Sequence, residues 1–336
     1  MKDPQATIRD IALKLNVSIS TVSRAIRGVP EVNPETRRAV LEMAAKLNYE
    51  PNRVAQSLRI KKTNTLGIIV PEIAMHFFSS AISGMQEYAA QHGYSIMICQ
   101  SMESLEIEKS NIHMLVSNRV DGLLISLSSE TKNAEHLQQL IQKKIPMILF
   151  DRVHEDVPVS KVVVDDHEGA FKAVDYLIKT GCKRIAHIGG PASLYISSQR
   201  KKGYLDALTK NNIPIDETLI VHCDNLQIDP AEATKKLLKQ KPDALFCMND
   251  PIAILAMQVL KEEGIKIPQE ISVVGFTNEP VSSFIEPSLT TVAQPSHEMG
   301  MMAAKLLIDQ MESEEPFTPI TKVIDTQLII RNSTRK

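Results

Sequence analysis

Long apolar runs are missing from this sequence, and no stretch approaches the ~18 apolar residues that a membrane-spanning helix needs. Met1-Lys2-Asp3-Pro4 is followed by a mixed amphipathic segment instead of the apolar core of an export signal, so the chain reads as cytoplasmic. Cysteine is scarce: Cys99, Cys182, Cys223 and Cys247 lie far apart without any C-x-x-C spacing, and read as reduced core thiols. The sequence also lacks G-x-G-x-x-G, a Walker loop, G-x-S-x-G and H-E-x-x-H. Its nine histidines show no metal-ligand spacing. Gly189-Gly190-Pro191 could cradle a phosphate, but two glycines after a strand more often make the turn into a loop. Enzyme chemistry therefore finds no support, and neither a metal nor another cofactor is expected.

What is present is ordinary soluble-protein material with an uneven charge distribution. Of 336 residues, 43% are hydrophobic and 23% charged, enough for two or three folding units with cores of their own. Residues 1–62 hold 12 Lys and Arg against 6 Asp and Glu, a balance of +6. The remainder holds 26 against 34, a balance of −8, and the two add to the net −2. A small basic head on an acidic body suits a polyanionic partner for the head.

The head reads as three short helices. Ile8, Ile11, Ala12 and Leu15 recur at helical spacing, with Thr7 as cap and Asp10 in capping-box position. Asn16-Val17-Ser18 breaks the chain, and Ser18 can cap a second helix running to about Ile26. After the Gly28-Val29-Pro30 loop, Asn33 caps a third helix with Pro34 at its first position; Val40, Ala44 and Leu47 continue its buried face. Two helices joined by so short a turn form a helix-turn-helix unit. The second helix is expected to bury Val22 and Ile26 and to present Ser20, Thr21 and Arg24, types suited to base edges. Ser18, Ser23 and the helix N-termini suit phosphates.

From Thr63 the pattern alternates short apolar runs with helical segments of about a dozen residues. Leu66–Val70, Ser95–Cys99, Gly122–Ile125 and Met147–Phe150 suit a buried parallel sheet. Val162–Val164, Arg184–Ile188, Leu219–Val221, Ala244–Cys247 and Ser272–Val274 form a second series. The expected architecture is an all-α helix-turn-helix head plus an α/β body of two doubly wound lobes, with ligands beyond the carboxyl ends of the strands.

Specific motifs sharpen this reading. Thr7-Ile8-x-Asp10-Ile11-Ala12, Val17-Ser18-x-Ser20-Thr21-Val22-Ser23-Arg24-Ala25, Val32-Asn33-x-x-Thr36-Arg37 and Leu47-Asn48-Tyr49-x-Pro51-Asn52-x-x-Ala55-x-x-Leu58 closely resemble the lactose/galactose-repressor (LacI/GalR) family. The resemblance continues through Phe150-Asp151-Arg152, His187-Ile188-Gly189-Gly190 and Ile271-Ser272-Val273-Val274-Gly275-Phe276. It implies a homodimeric transcriptional regulator, a repressor, that binds a pseudo-palindromic double-stranded operator. Its body would resemble periplasmic binding proteins, and a small-molecule effector there, a sugar or sugar derivative, would set operator affinity. Base reading falls to Ser20, Thr21 and Arg24, and phosphate contact to Thr7, Ser18, Ser23 and Asn33.

The family's hinge maps onto Asn52–Leu58, too short to be helical alone, with Asn52, Ala55 and Leu58 placed in the minor groove and Leu58 as an apolar wedge. The family's effector pocket carries over to Phe77 and Phe78, Asp151, Arg200, Asn249 and Thr277, with Asp151 and Arg200 on facing sides of the cleft. Many sugar-responsive members carry an acid where Thr277 stands, so a phosphorylated sugar, a nucleobase or a protein partner also enters consideration. A solute-binding transport receptor would share the body but not the head. The expected domains are 1–50, a hinge and linker at 51–62, and a body at 63–336. Lobe one of that body takes about 63–161 and 293–321, and lobe two about 162–292 and 322–336. No C-terminal leucine heptads follow, so a dimer is expected.

Overall fold

The computed structural model describes residues 6–26, 28–49, 62–223, 229–314 and 318–336. The chain divides into two compact units, Met1–Thr63 and Asn64–Lys336.

In the first unit three helices pack around Ile11, Ala12, Val22, Ala25 and Val40. Helix α1 (Ile8–Leu15) opens with the expected box: the Asp10 carboxylate accepts from the Thr7 N–H and hydroxyl, each at 2.7 Å. Asn16 turns the chain in the left-handed region at φ 52°, which asparagine tolerates, and the Val17 N–H returns to the Ala12 carbonyl at 3.1 Å. Helix α2 (Ile19–Ile26) starts with Ser18 Oγ accepting from the Thr21 N–H at 3.0 Å. It buries Val22 and Ala25; Ile26, expected in the core, is only partly buried against it. Helix α3 (Pro34–Lys46) has Pro34 at N1 and Asn33 Oδ1 accepting from the Glu35 N–H at 2.8 Å.

The second unit contains, among the described residues, two six-stranded sheets. The first has the order β11-β5-β4-β3-β1-β2, all parallel. Its strands are β1 (Thr65–Val70), β2 (Ser95–Gln100), β3 (Gly122–Ile125), β4 (Met147–Phe150), β5 (Ser160–Val164) and β11 (Thr321–Ile324). Helices α4 (His76–Gln91) and α11 (Ser296–Glu312) cover one face, and α5 (Leu105–Ser117) and α6 (Glu135–Gln142) the other. Helices α4 and α11 cross so closely that a Cβ on Gly300 would collide with the Ala81 carbonyl.

The second sheet has the order β12-β10-β9-β8-β6-β7, parallel except for its antiparallel edge β12. It comprises β6 (Ile185–Gly189), β7 (Ile220–His222), β8 (Ala244–Cys247), β9 (Ser272–Thr277), β10 (Thr290–Ala293) and β12 (Gln327–Ile329). Helices α7 (Asp166–Lys179) and α8 (Tyr195–Lys210) pack on one face; α9 (Pro230–Leu238) and α10 (Asp250–Glu262) pack on the other. The cysteines are free and buried.

One expectation needs correction. Val162–Val164 were assigned to lobe two, yet β5 pairs with β4, and β11 pairs with β5, so both belong to lobe one. The chain therefore crosses between sheets near residue 165, between β10 and α11, and between β11 and β12. The expected boundaries fall three residues early at β5 and β11 and one residue early at β10, because a strand's own residues do not say which sheet receives it.

Candidate functional site

Two places bring functional side chains together, one in each unit. In the head, three hydroxyls meet at the start of α2. Ser18 Oγ lies 2.7 Å from Ser20 Oγ and 2.8 Å from Thr21 Oγ1. Arg24, one turn further on, is exposed and approaches Glu31 at 4.0 Å. An exposed pair at that distance is worth about 0–1 kcal/mol, so the guanidinium is released at little cost. Thr7 and Asn33, the other cap residues, are also exposed. The helix thus presents hydroxyls at its positive N-terminal end and a guanidinium one turn later, an arrangement fitted to phosphate and base edges. Asn52, Ala55 and Leu58 lie outside the described residues.

In the body, the carboxyl ends of both sets of strands face a cavity of about 800 Å3, within the range of small-molecule sites. Lobe one supplies Glu72 after β1, Glu103 after β2, Ser129 after β3 and Arg152 after β4. Lobe two supplies a largely apolar wall that includes Pro191, Leu194, Met248 and Ile252, with Asn249 at the end of β8. The Ser193 hydroxyl donates across to the Ser129 carbonyl at 3.0 Å, tying one lobe to the other beside the cleft.

The lobe-one wall is held by ion pairs. Arg152 Nη1 donates to both oxygens of Glu103 at 2.7 Å, and Glu103 Oε2 accepts from the Ser129 N–H at 2.8 Å. Burial opposes the Glu103 charge, but Arg152 and these hydrogen bonds outweigh it and hold the carboxyl below its ordinary value. Met102 and Glu103 are both left-handed, at φ 54° and 60°, a conformation costing roughly 1–2 kcal/mol for each such residue. Behind them Glu108, fully buried, accepts from the Ser128 N–H at 2.7 Å, the Thr131 hydroxyl at 3.0 Å and His136 Nε2 at 2.8 Å. Two carboxylates therefore fix the loop that carries Ser129.

The sequence-derived pocket residues fall in three places. Asn249 lines the cavity and also caps α10, its Oδ1 accepting from the Ile252 N–H at 2.9 Å. Asp151 and Arg200 do not face each other across open space and are not among the lining residues. Arg200 is 2% exposed: its Nε donates to Asp166 Oδ1 at 2.7 Å and its Nη1 to the Met248 carbonyl at 2.7 Å. Its guanidinium also lies 3.8 Å from the Phe276 ring centroid, so a buried carboxylate and a ring already occupy it. Asp151 sits at the end of β4, buried and left-handed at φ 57°. Burial, partly offset by Arg152, raises its carboxyl to about 7. Burial likewise raises Asp166 against the pull of Arg200.

Phe77 and Phe78 are core residues, packed edge to face with centroids 5.2 Å apart, and not cavity wall. They point inward because their face of α4 packs on the first sheet. Thr277 ends β9 at φ 117°, also outside the lining. Glu103, Arg152 and Ser129 were not singled out from sequence. One signal could have found them: each follows a strand of the parallel series, where ligands of such sheets bind.

Similarity to known proteins agrees with this geometry. The model for "Bacterial regulatory proteins, lacI family" matches residues 7–52, and that for "Periplasmic binding proteins and sugar binding domain of LacI family" matches 63–330. The HTH-type transcriptional repressor CytR of Escherichia coli (strain K12) is 34% identical over 336 residues, covering 99% of this chain and 98% of that protein. Among solved structures, the Lac repressor dimer bound to operator and the anti-inducer ONPF gives a TM-score of 0.88 at 26% identity, covering 99% and 100% of the two chains. The transcriptional regulator CelR in complex with cellobiose gives 0.74 at 29% identity, covering 98% and 99%. The chain belongs to the LacI family: it is a DNA-binding transcriptional repressor with a sugar-binding-type body, and not an enzyme.

Proposed function

We propose that the protein represses transcription as a homodimer on a pseudo-palindromic operator, and that a small effector in the interlobe cavity sets its operator affinity. The observation that carries this reading is the cavity itself, about 800 Å3 and walled by both lobes. A ligand touching both walls binds one lobe arrangement better than another, and so shifts the equilibrium between them. A sugar or sugar derivative is the class we favour, since CelR is described in complex with cellobiose.

Ser20, Thr21 and Arg24 read bases, while Thr7, Ser18, Ser23 and Asn33 hold phosphates. Asn52, Ala55 and Leu58 act in the minor groove. Asn249 contacts the effector directly. Arg200 acts from behind the wall by holding the Met248 carbonyl, with Asp151 beside it. Phe77, Phe78 and Thr277 support the wall rather than touch the ligand. An apolar surface supports self-association. Phe284 is 85% exposed and Val281 45%, on a turn that Asp250 ties to the start of α10.

The test is operator binding. A duplex selected from a randomised pool would be titrated by fluorescence anisotropy with and without cellobiose, ribose, xylulose or a nucleoside. At least one probe should both raise Tm and change operator affinity several-fold. Stabilisation without any change in operator affinity would rule out effector control.

A further inference from the structure

We propose that Glu103 and Arg152 make the cleft a charge filter: together they form a subsite for the polar edge of an uncharged ligand and reject phosphorylated or carboxylated ones. This rests on the effector reading above and names the chemistry that the site selects.

Both residues line the cavity from lobe one. The Arg152 charge is committed to Glu103 through two contacts of 2.7 Å, so it is not available as the counter-charge of an anion. Arg152 is nevertheless 9% exposed and lines the cavity, where N–H groups of its guanidinium can still donate. The Glu103 side chain keeps 24% exposure and therefore acceptor capacity. A donor and an acceptor lie side by side, which matches a vicinal pair of hydroxyls or the amide edge of a base. The remaining charged residues of the described lining are Glu72, Asp229 and Glu232, all acidic. A phosphate would enter net negative surroundings and lose water without gaining a free cation.

The backbone points the same way. Met102 and Glu103 are consecutive left-handed residues without being glycine, and such conformations gather at ligand clamps, where the neighbouring structure holds them. Here Arg152 and the Ser129 N–H hold Glu103 at the wall. Opposite lie Leu194, Met248 and Ile252, which suit the carbon face of the same ligand.

Matched pairs of probes test the filter on the whole protein: ribose and ribose 5-phosphate, glucose and glucose 6-phosphate, cytidine and its monophosphate. By thermal shift and calorimetry, any pair that binds should do so through its uncharged member, the phosphate being at least about tenfold weaker. Glu103→Gln should narrow that gap to within about threefold, weakening the uncharged member and, by freeing Arg152, strengthening the phosphate. High salt should narrow the gap in the unmodified protein as well, which keeps the test valid if the variant fails to fold. A phosphate that binds as tightly as its uncharged partner overturns the filter while leaving effector control standing. A gap indifferent to salt also overturns it, since size rather than charge would be responsible. Binding by no member of any pair, and by neither cellobiose nor xylulose, removes the effector reading and the filter with it.

Discussion

The Asp151, Asp166 and Arg200 group sets stability and ligand chemistry against each other at single residues. Asp151 ionises near its ordinary value when unfolded but at about 7 when folded, because burial disfavours its charge. Between about pH 4 and about pH 7 the folded state therefore holds the extra proton, and this residue's effect is to lower stability as pH rises through that window. Asp151→Asn removes the effect, so its urea midpoint should gain on the parent's from pH 5 to pH 7.5. A constant difference across that range would show that Asp151 does not titrate there. Arg200→Ala has the opposite outcome. It leaves the buried Asp166 carboxyl without its 2.7 Å partner, so it should cost ~3–5 kcal/mol in urea unfolding with no effector present. A residue that served ligand alone would cost nothing in that measurement. Arg24→Ala, on the exposed face of α2, should leave stability intact yet lose roughly 1–3 kcal/mol of discrimination at one base position. Equal weakening on specific and random duplexes would make Arg24 a phosphate contact.

Elements differ in how openly the sequence declares them. The head was legible because its caps are local: Thr7 with Asp10, Ser18 with Thr21 and Asn33 with Glu35 bond within three residues. Strands β3, β4 and β8 were legible to the residue, being short apolar runs buried on both sides. Strands β10, β11 and β12 were not. β10 begins with two buried threonines, while β11 and β12 are exposed edges that look polar. The pocket was legible at Asn249, which must follow β8, but not at Phe77 and Phe78, since adjacent aromatics on a helix read alike whether they face a core or a cleft. The hinge at 52–58 rests on sequence alone, and there the prediction concerns the element as a unit. On the proposed reading DNA and the partner chain supply the folding free energy of a hinge helix, since about seven residues cannot form a stable isolated one. Leu58→Ala should keep fold and dimer while reducing both operator affinity and induced bend, read by fluorescence transfer across the operator at saturation. An unchanged bend would leave the segment an ordinary linker.

Across the whole molecule, charge divides the labour. The head carries +6 and the body −8, so attraction to DNA falls to the head while phosphates repel the acidic body. Head binding should therefore be driven by counterion release, and non-specific attachment through the body should be suppressed. For about six to ten phosphates neutralised by a dimer, log affinity should fall with log salt at a slope of about −5 to −9. Affinity would then drop about a thousandfold or more between 50 and 200 mM salt. The same slope separates two routes of effector action. An effector that changes only the spacing of the two heads should lower affinity and slope together, because one head disengages and its phosphate contacts are lost. An effector that acts on the hinge alone should lower affinity while leaving the slope nearly unchanged, since apolar insertion by Leu58 releases few ions. Operator titrations at four salt concentrations, with and without a probe that stabilises the body, distinguish the two. A slope shallower than about −3 without any probe would mean that the +6 heads do not dominate binding at all, and the electrostatic account would fail.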